Sequence, residues 1–390
     1  MKLGVLKDIK KNEYRVVLTP AEVANCVSDG HQVYVEKNAG ANAGFDDSEY
    51  IFAGAEIKSK EEMFAQCDVL VKVKEIEESE YALLRENQIV FTCIHPAANK
   101  KEVEALLEKK VISFAAEDTH RFGSPNCEAA GKAGAFLGLY SLMATNGGMG
   151  KFVSGLGTAP GIKVLVLGCG VVGKGAIEVL HTMGAWVTVA ATNIGHLRDL
   201  SSKYDGKVNT MISNRYNIKK LLPEVDMVVN CVRWDKSNTE YLIDREMVKM
   251  MKKGSVIADI SNDYGAIETF HETTHDDPTY IEEGVVHYCV SNIPSAISNT
   301  ASIAYAASIE KHIRSILNNG VTEACVKDGY LRRGMVTYKG YLTHEETSQI
   351  QKKPWIQPEK ILGIEGRDLD GAPKNTVAVS NLFYEEYPVG

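Results

Sequence analysis

The 390-residue sequence contains no run of about 18 apolar residues, so nothing in it reads as a membrane span. It opens on MKLGVLKDIKKNEYR, a short strand pattern followed by charge. That segment lacks the apolar stretch of a secretory signal, and the expected location is the cytoplasm. A basic excess is missing too. The chain has 43 Lys and Arg against 51 Asp and Glu, a net charge of −8. That argues against nucleic acid as the main partner, because phosphate binding needs a cationic face. No CxxC pair occurs. The eight cysteines (Cys26, Cys67, Cys93, Cys127, Cys169, Cys231, Cys289 and Cys325) are scattered, several in apolar runs. They read as reduced core residues, so neither a disulfide frame nor a metal site is expected. No GxSxG string is present.

What is there is a long alternation of β-rich and helical patterns. Predicted strands are Leu3–Leu6, Gln32–Glu36, Asp68–Val73, Ile89–Ile94 and Val111–Ala115, then Lys163–Leu167, Trp186–Ala190, Lys207–Met211, Met227–Val232, Ser255–Ile260 and Val286–Val290. Strand–helix alternation predicts parallel sheets in an α/β fold. The series divides at Cys127–Thr145, small and apolar all round, which reads as a buried helix, followed by the glycine-rich NGGMGKFVSGLGTAPG. A second long apolar helix is expected near Thr300–Leu317. The expectation is two Rossmann-like, doubly wound parallel-sheet domains with a cleft between them. Residues 1–126 plus 300–390 form a discontinuous substrate domain, and residues 127–299 form a dinucleotide-binding domain.

The strongest local signal is the turn between the predicted strand Lys163–Leu167 and a helical pattern over Lys174–Met183. It reads Gly168-Cys169-Gly170-Val171-Val172-Gly173. In that setting GxGxxG is a dinucleotide fingerprint. The first glycine makes the tight turn, the second admits the pyrophosphate, and the third lets helix and strand pack closely. The helix N-terminus then offers free N–H groups and the positive end of its dipole. An acid that would hold the adenosine ribose is expected about 20 residues on. The next strand instead ends Ala190-Ala191-Thr192-Asn193. Small neutral residues leave room for a 2′-phosphate, with Thr192, Asn193 or Arg198 as contacts, but NAD can also bind through backbone and Asn193. Both NAD and NADP therefore stay open.

Polar residues also fall where predicted strands end, the side of a parallel sheet on which ligands bind. Arg15 lies in Asn12-Glu13-Tyr14-Arg15-Val16-Val17-Leu18-Thr19-Pro20, just before a helix. Lys74 ends Val71-Lys72-Val73-Lys74-Glu75, and His95 follows the strand in Phe91-Thr92-Cys93-Ile94-His95-Pro96. Taken in order with GCGVVG, ADISNDYG, CVSNIPSAISNTAS and GYLTHE, these strings resemble the alanine dehydrogenase and transhydrogenase domain I family. That family also includes saccharopine dehydrogenases and carboxyethylornithine synthases. The resemblance covers roughly residues 1–350.

The resemblance implies roles. Arg15 would hold the substrate carboxylate, as its guanidinium fork suits. Lys74 would contact the substrate, and His95 would be the acid/base, since an imidazole exchanges protons near neutral pH. Asp263 would stand beside the reacting carbon, where a carboxylate stabilises an iminium. Asn292 would frame nicotinamide and substrate, and Cys231 lies in the loop that faces the cofactor. It implies a homo-oligomer packed through the long helices, and an amino acid and a 2-oxo acid such as pyruvate as ligands.

Two departures keep the amine donor open. The ribose acid is absent, and Asn230-Cys231-Val232-Arg233-Trp234-Asp235 is closer to the saccharopine dehydrogenase version of its loop. Arg233 would suit a second carboxylate, so an opine-type enzyme that joins a 2-oxo acid to a second amino acid stands beside alanine dehydrogenase. A subunit docking on a membrane transhydrogenase, or a silent nucleotide sensor, is disfavoured by the joint presence of Arg15, Lys74, His95 and Asp263. His271-Glu272-Thr273-Thr274-His275 matches the HExxH of zinc proteases. It lacks an apolar helical stripe and runs into Pro278, so it is not read as a zinc site. Gly147–Phe152 lacks the first glycine and the hydroxyl residue of a phosphate loop.

Overall fold

The computed structural model describes residues 1–234, 238, 240–262 and 265–372. Its strands, in chain order, are β1 (Lys2–Val5), β2 (Gln32–Glu36), β3 (Glu56–Lys58), β4 (Val69–Val71), β5 (Ile89–Thr92), β6 (Ile112–Ala115), β7 (Lys163–Leu167), β8 (Trp186–Ala191), β9 (Asn209–Ile212), β10 (Met227–Asn230), β11 (Val256–Asp259), β12 (Thr279–Glu282), β13 (Val285–Tyr288), β14 (Met335–Tyr338) and β15 (Tyr341–Leu342). They form two sheets in two compact units, residues 1–125 with those from 298 onward, and residues 126–297.

In the first unit the order is β15-β14-β6-β5-β4-β1-β2-β3. Strands β1 to β6 run parallel, while β14 and β15 close the edge antiparallel. In the second unit the order is β12-β13-β11-β10-β7-β8-β9, parallel except for β12. Both are α/β sheets with flanking helices, wound outward in two directions from a first strand. The order therefore reverses between β1 and β4 in one sheet and between β7 and β10 in the other. Crevices beyond the C-terminal ends of such strand pairs are where open α/β sheets bind ligands. The strands are buried on both faces (β4, β5, β6, β10, β11 and β13 throughout), as parallel strands under helices require.

Four strands went unpredicted: β3, β12, β14 and β15. All are short and lie at or next to a sheet edge, where polar residues interrupt the apolar pattern. Two of the turns were nevertheless readable. Glu283-Gly284 joins β12 to β13 and Lys339-Gly340 joins β14 to β15, and all four residues have positive φ. Two consecutive left-handed residues match the strand twist of a two-residue hairpin.

The dividing helix, Pro125–Ser141, is not buried all round as expected. Its small residues mark one face in close contact. A Cβ at Gly131 would lie 2.0 Å from the Val172 carbonyl oxygen. On the other face Phe136 and Tyr140 are exposed. The absence of amphipathic contrast in the sequence reflects backbone-to-backbone packing, with small apolar residues standing where larger ones would collide.

Candidate functional site

In the first unit, the end of β1 leads into Asp8 and the end of β4 into Lys72 and Lys74, at the reversal point. Asp8 ties the two together: its carboxylate accepts from the Lys74 N–H at 2.9 Å and the Lys10 N–H at 3.2 Å. Burial raises the pKa of Asp8 to about 6, against the pull of Lys72. The two lysines of the strand end have different fates. Lys72 is fully buried and donates to Glu80 at 2.8 Å and to the Glu75 carbonyl at 2.9 Å. Lys74 is half-buried, and its ammonium acts electrostatically on His95 and Cys93. The lysine singled out by the resemblance is thus the one not sunk in the core.

Arg15 lies in the loop that enters helix Pro20–Ser28. Pro20 pre-sets the first turn, and Thr19 and Glu22 form a capping box, with the Thr19 N–H donating to Glu22 at 3.0 Å. Val16 N–H donates to Ser302 Oγ at 2.9 Å, fixing the loop to the long helix. The guanidinium itself is buried. Its Nε and one Nη donate to Glu13 at 2.8 and 2.6 Å, and the Arg15 backbone N–H donates to Glu13 at 3.0 Å. Glu13 was not singled out from the sequence. A glutamate two residues before a candidate carboxylate-binding arginine was the available signal.

His95 follows β5 in the left-handed region, with φ 49°. A non-glycine residue there must be held by its surroundings. Glu117, just past β6, does this: its Oε1 accepts the His95 N–H at 2.5 Å and lies 3.5 Å from Nδ1. The ring remains 57% exposed. The protein around it and the nearby Lys74 ammonium both lower its pKa. Glu117 is raised by burial and by the neighbouring Asp118, which in turn accepts from His344 Nε2 at 3.2 Å. His344 belongs to the GYLTHE string, whose place in the site is therefore behind Glu117. A cavity of about 400 Å³ opens beside His95, lined also by Glu75, Glu77, Tyr81 and Asn99. Arg15 is coupled electrostatically to Cys93 and Tyr305, and both of these to Glu117. Arg15, Lys74 and His95 thus share one end of the sheet.

In the second unit the glycine turn takes the form its spacing requires. Gly168 has φ 87°, Gly170 caps helix Val171–Thr182, and open space lies over the position a Cβ would take at Gly170. That cradle fits a pyrophosphate held by the first helical N–H groups, at Val171 and Val172. A Cβ at Gly173 would lie 2.2 Å from the Gly168 carbonyl oxygen. Gly173→Ala is expected to push the helix off the strand and abolish dinucleotide binding. Calorimetric titration with NADH and NADPH checks this, and unchanged affinity would refute it.

Beyond β8 no carboxylate stands at Ala191, Thr192 or Asn193. Asn193 caps helix Ile194–Lys203, accepting the His196 N–H at 3.1 Å. Burial, followed by the Lys174 charge, lowers the pKa of His196. His196, in the first turn after Asn193, and the Lys174 charge that acts on it were not named from the sequence. Thr192 and Arg198 are exposed. Cys231 begins the loop after β10, its backbone carbonyl 3.1 Å from a Cβ built at Gly168. Buried Asn230 donates to both Asp259 oxygens at 3.1 Å, tying the end of β10 to the end of β11. Asn292 is half-buried with φ 64°, and Arg233 is exposed. Asp263 lies outside the described residues. The HETTH string is extended, with Thr273 bridging to Val290, so its histidines do not share a helical face. Among the described residues no cluster of three His, Cys, Asp or Glu is arranged for a metal, and no helix is long and apolar enough to cross a membrane.

Comparison with known proteins places this geometry. The profile described as Alanine dehydrogenase/PNT, N-terminal domain, matches residues 4–126, and that of the C-terminal domain matches residues 134–345. An alanine dehydrogenase of Methanococcus maripaludis is 38% identical over 371 residues, covering 93% of this chain and 100% of that protein. One of Staphylococcus haemolyticus is 38% identical over 357 residues, covering 90% and 96%. The solved structure of an L-alanine dehydrogenase superposes with a TM-score of 0.85 at 32% identity, covering 90% of this chain and 99% of that one. A transhydrogenase from Sinorhizobium meliloti shares the fold, with a TM-score of 0.75 at 22% identity over 88% and 99% of the two chains. Both halves of the chain, with the glycine turn in one and the Arg15, Lys74 and His95 group in the other, belong to the alanine dehydrogenase/PNT family.

Proposed function

We propose that this chain is an NAD(P)-dependent alanine dehydrogenase, interconverting L-alanine and water with pyruvate and ammonia. The observation that carries the reading is the match to alanine dehydrogenases at 38% identity along nearly the whole chain. The relatives named above include no opine-type enzyme. The enzyme is an oxidoreductase acting on a CH–NH2 group, and its cofactor is a nicotinamide dinucleotide.

The unit of residues 126–297 serves as the dinucleotide-binding domain and the other unit as the substrate domain. Gly168, Gly170, Val171, Val172 and Gly173 hold the pyrophosphate, and the loops carrying Cys231 and Asn292 line the nicotinamide end. The nicotinamide, when bound, accepts hydride from the α-carbon of the amino acid or returns it. The remaining work falls to side chains. Arg15 binds the carboxylate of the substrate, and Lys74 orients its carbonyl oxygen. In the oxidative direction neutral His95 takes the proton of the water that attacks the iminium carbon. It then hands a proton to the departing ammonia. In the reductive direction the same proton transfers run backwards. Asp263, in this reading, stabilises the positive charge of the iminium. Association into a homo-oligomer and a cytoplasmic location extend the same reading, and sedimentation of the purified protein tests the first.

The assay follows NADH and NADPH absorbance separately with pyruvate, adding ammonia, lysine or ornithine in turn. Turnover with ammonia is expected, and turnover only with a second amino acid would overturn the assignment. The missing ribose carboxylate leaves no anion at the end of β8 to repel a 2′-phosphate, so NADPH is expected to be accepted alongside NADH. Ala191→Asp places an acid there. It is expected to lower kcat/KM for NADPH at least about tenfold relative to NADH, since a carboxylate binds ribose hydroxyls and repels phosphate. An unchanged ratio would show that β8 does not set the preference.

A further inference from the structure

The rejected HETTH segment is part of the scaffold of the nicotinamide side, and we propose that His275 is a positioning residue for the loop carrying Asn292, held in place by the segment Glu272–His275. The inference rests on the reading that residues 126–297 bind a nicotinamide dinucleotide.

The segment is anchored at its start. The His271 ring stacks on Tyr280 with centroids 3.4 Å apart, and Tyr280 stacks on His287 at 4.8 Å. Tyr280 hydroxyl donates to the Thr269 carbonyl at 2.7 Å and accepts the His271 N–H at 2.9 Å. Buried His287 has one compatible tautomer. Its Nδ1 lies 3.0 Å from the Val285 carbonyl and so must donate, which leaves Nε2 to accept from Thr269 Oγ1 at 2.8 Å. The chain then runs extended beside the end of β13. Thr273 N–H donates to the Cys289 carbonyl at 3.0 Å, and Ser291 N–H donates to the Thr273 carbonyl at 3.1 Å.

From this strip two side chains reach the loops that leave the ends of β11 and β13. Glu272 accepts from Asn262 Nδ2 at 3.3 Å, and His275 Nε2 donates to the Asn292 carbonyl at 3.2 Å. Both asparagines sit in the left-handed region, Asn262 with φ 54° and Asn292 with φ 64°. Such a conformation persists where neighbours over-determine it. At Asn292 those neighbours include His275 and the Ser295 N–H, which also donates to that carbonyl at 3.0 Å. Removing the imidazole takes one hydrogen bond from the peptide on which the Asn292 side chain is mounted. The glycine cradle, at the other end of the dinucleotide, is untouched.

The test compares His275→Ala and His275→Gln with the unmodified protein, using NADH or NADPH, whichever is turned over faster, and ADP-ribose, which has the adenosine and pyrophosphate but no nicotinamide. The Ala variant is expected to bind the reduced coenzyme about tenfold more weakly and to lose kcat by a similar factor, a size usual for small misplacements. Its ADP-ribose Kd should stay within about twofold of the parent's. Gln carries a donor of similar reach and is expected to restore most of both. Unchanged coenzyme binding and kcat in His275→Ala would overturn the proposal, as would ADP-ribose affinity falling in parallel. If the Ala variant does not fold, the Gln variant decides: near-parental constants support the donor role, and a loss in both ligands overturns it. Failure of the unmodified protein to bind either ligand would instead overturn the dinucleotide reading, and this proposal with it.

Discussion

Replacing His95 with Gln is expected to lower kcat by about 10²–10⁴, the usual contribution of a positioned acid/base, while the Kd for NADH stays unchanged. Gln keeps the volume, and the backbone N–H that Glu117 accepts at 2.5 Å is not altered, so the loop has no reason to move. Stopped-flow turnover with alanine and fluorescence titration with NADH check the two halves separately. Equal kcat would remove His95 from the mechanism.

The pH profile follows from the same geometry. Oxidation needs neutral His95, and crowding together with the Lys74 charge holds its pKa below the ordinary 6.5. The acid limb of kcat/KM for alanine is therefore expected below pH 6.5 rather than at it. Lys74→Met removes a like charge, so the limb of its residual activity should move up in pH. The stability linkage has the same sign. A histidine whose pKa is depressed on folding contributes stability above the unfolded value, near 6.5, and that contribution is lost as pH falls towards the folded value. If the limb of the Lys74→Met protein moved down, the electrostatic account of His95 would be wrong.

The parts of the fold legible in the sequence are those where burial leaves one solution. A parallel strand covered on both faces must be an apolar run, so β2 and β7 were predicted to the residue and the other parallel strands to within two residues at either end. Strands β3, β12 and β15 lie at sheet edges and β14 beside one; all are short and broken by polar residues, and their pattern is indistinct from a loop's. The glycine turn was legible because three steric requirements coincide within six residues. Lys74 and His95 were legible as polar interruptions at the ends of apolar strands, and Arg15 through the resemblance of its loop, Asn12–Pro20, to the family's. What they depend on was not. Glu13, Asp8 and Glu117 look like ordinary surface acids in the sequence, and only the strand order brings Asp8 against Lys74, 66 residues away. The HETTH string misleads for the converse reason: its spacing is that of a helical motif, but its aromatic stacking and its pairing with the chain at β13 are contacts that local spacing does not encode.

Arg15 carries the second large effect, and there the fold and the chemistry must be separated. Arg15 and Glu13 are both nearly inaccessible, and the pair closes at 2.6 Å. Desolvation works against the guanidinium's charge, but the hydrogen bonds and charge of Glu13 win and raise its pKa. Removing one member of such a pair takes the opposite charge away from the buried other, a cost of about 3–5 kcal/mol, whereas replacing both by well-packed hydrophobic residues of similar volume is often close to neutral. Arg15→Met alone is therefore expected to lose both stability and activity, with a denaturation midpoint well below the parent's. The double variant Arg15→Met, Glu13→Gln leaves no buried charge, and its amide oxygen can still accept the backbone N–H at position 15, so it is expected to recover part of the stability and none of the alanine turnover, because no fork remains for the substrate carboxylate. Urea denaturation measured beside kcat/KM reads the two quantities independently. Recovery of activity together with stability would mean that Arg15 is a structural ion-pair residue and that the carboxylate is bound elsewhere. A double variant as unstable as the single one would mean that the guanidinium holds more of the loop than its bonds to Glu13 account for.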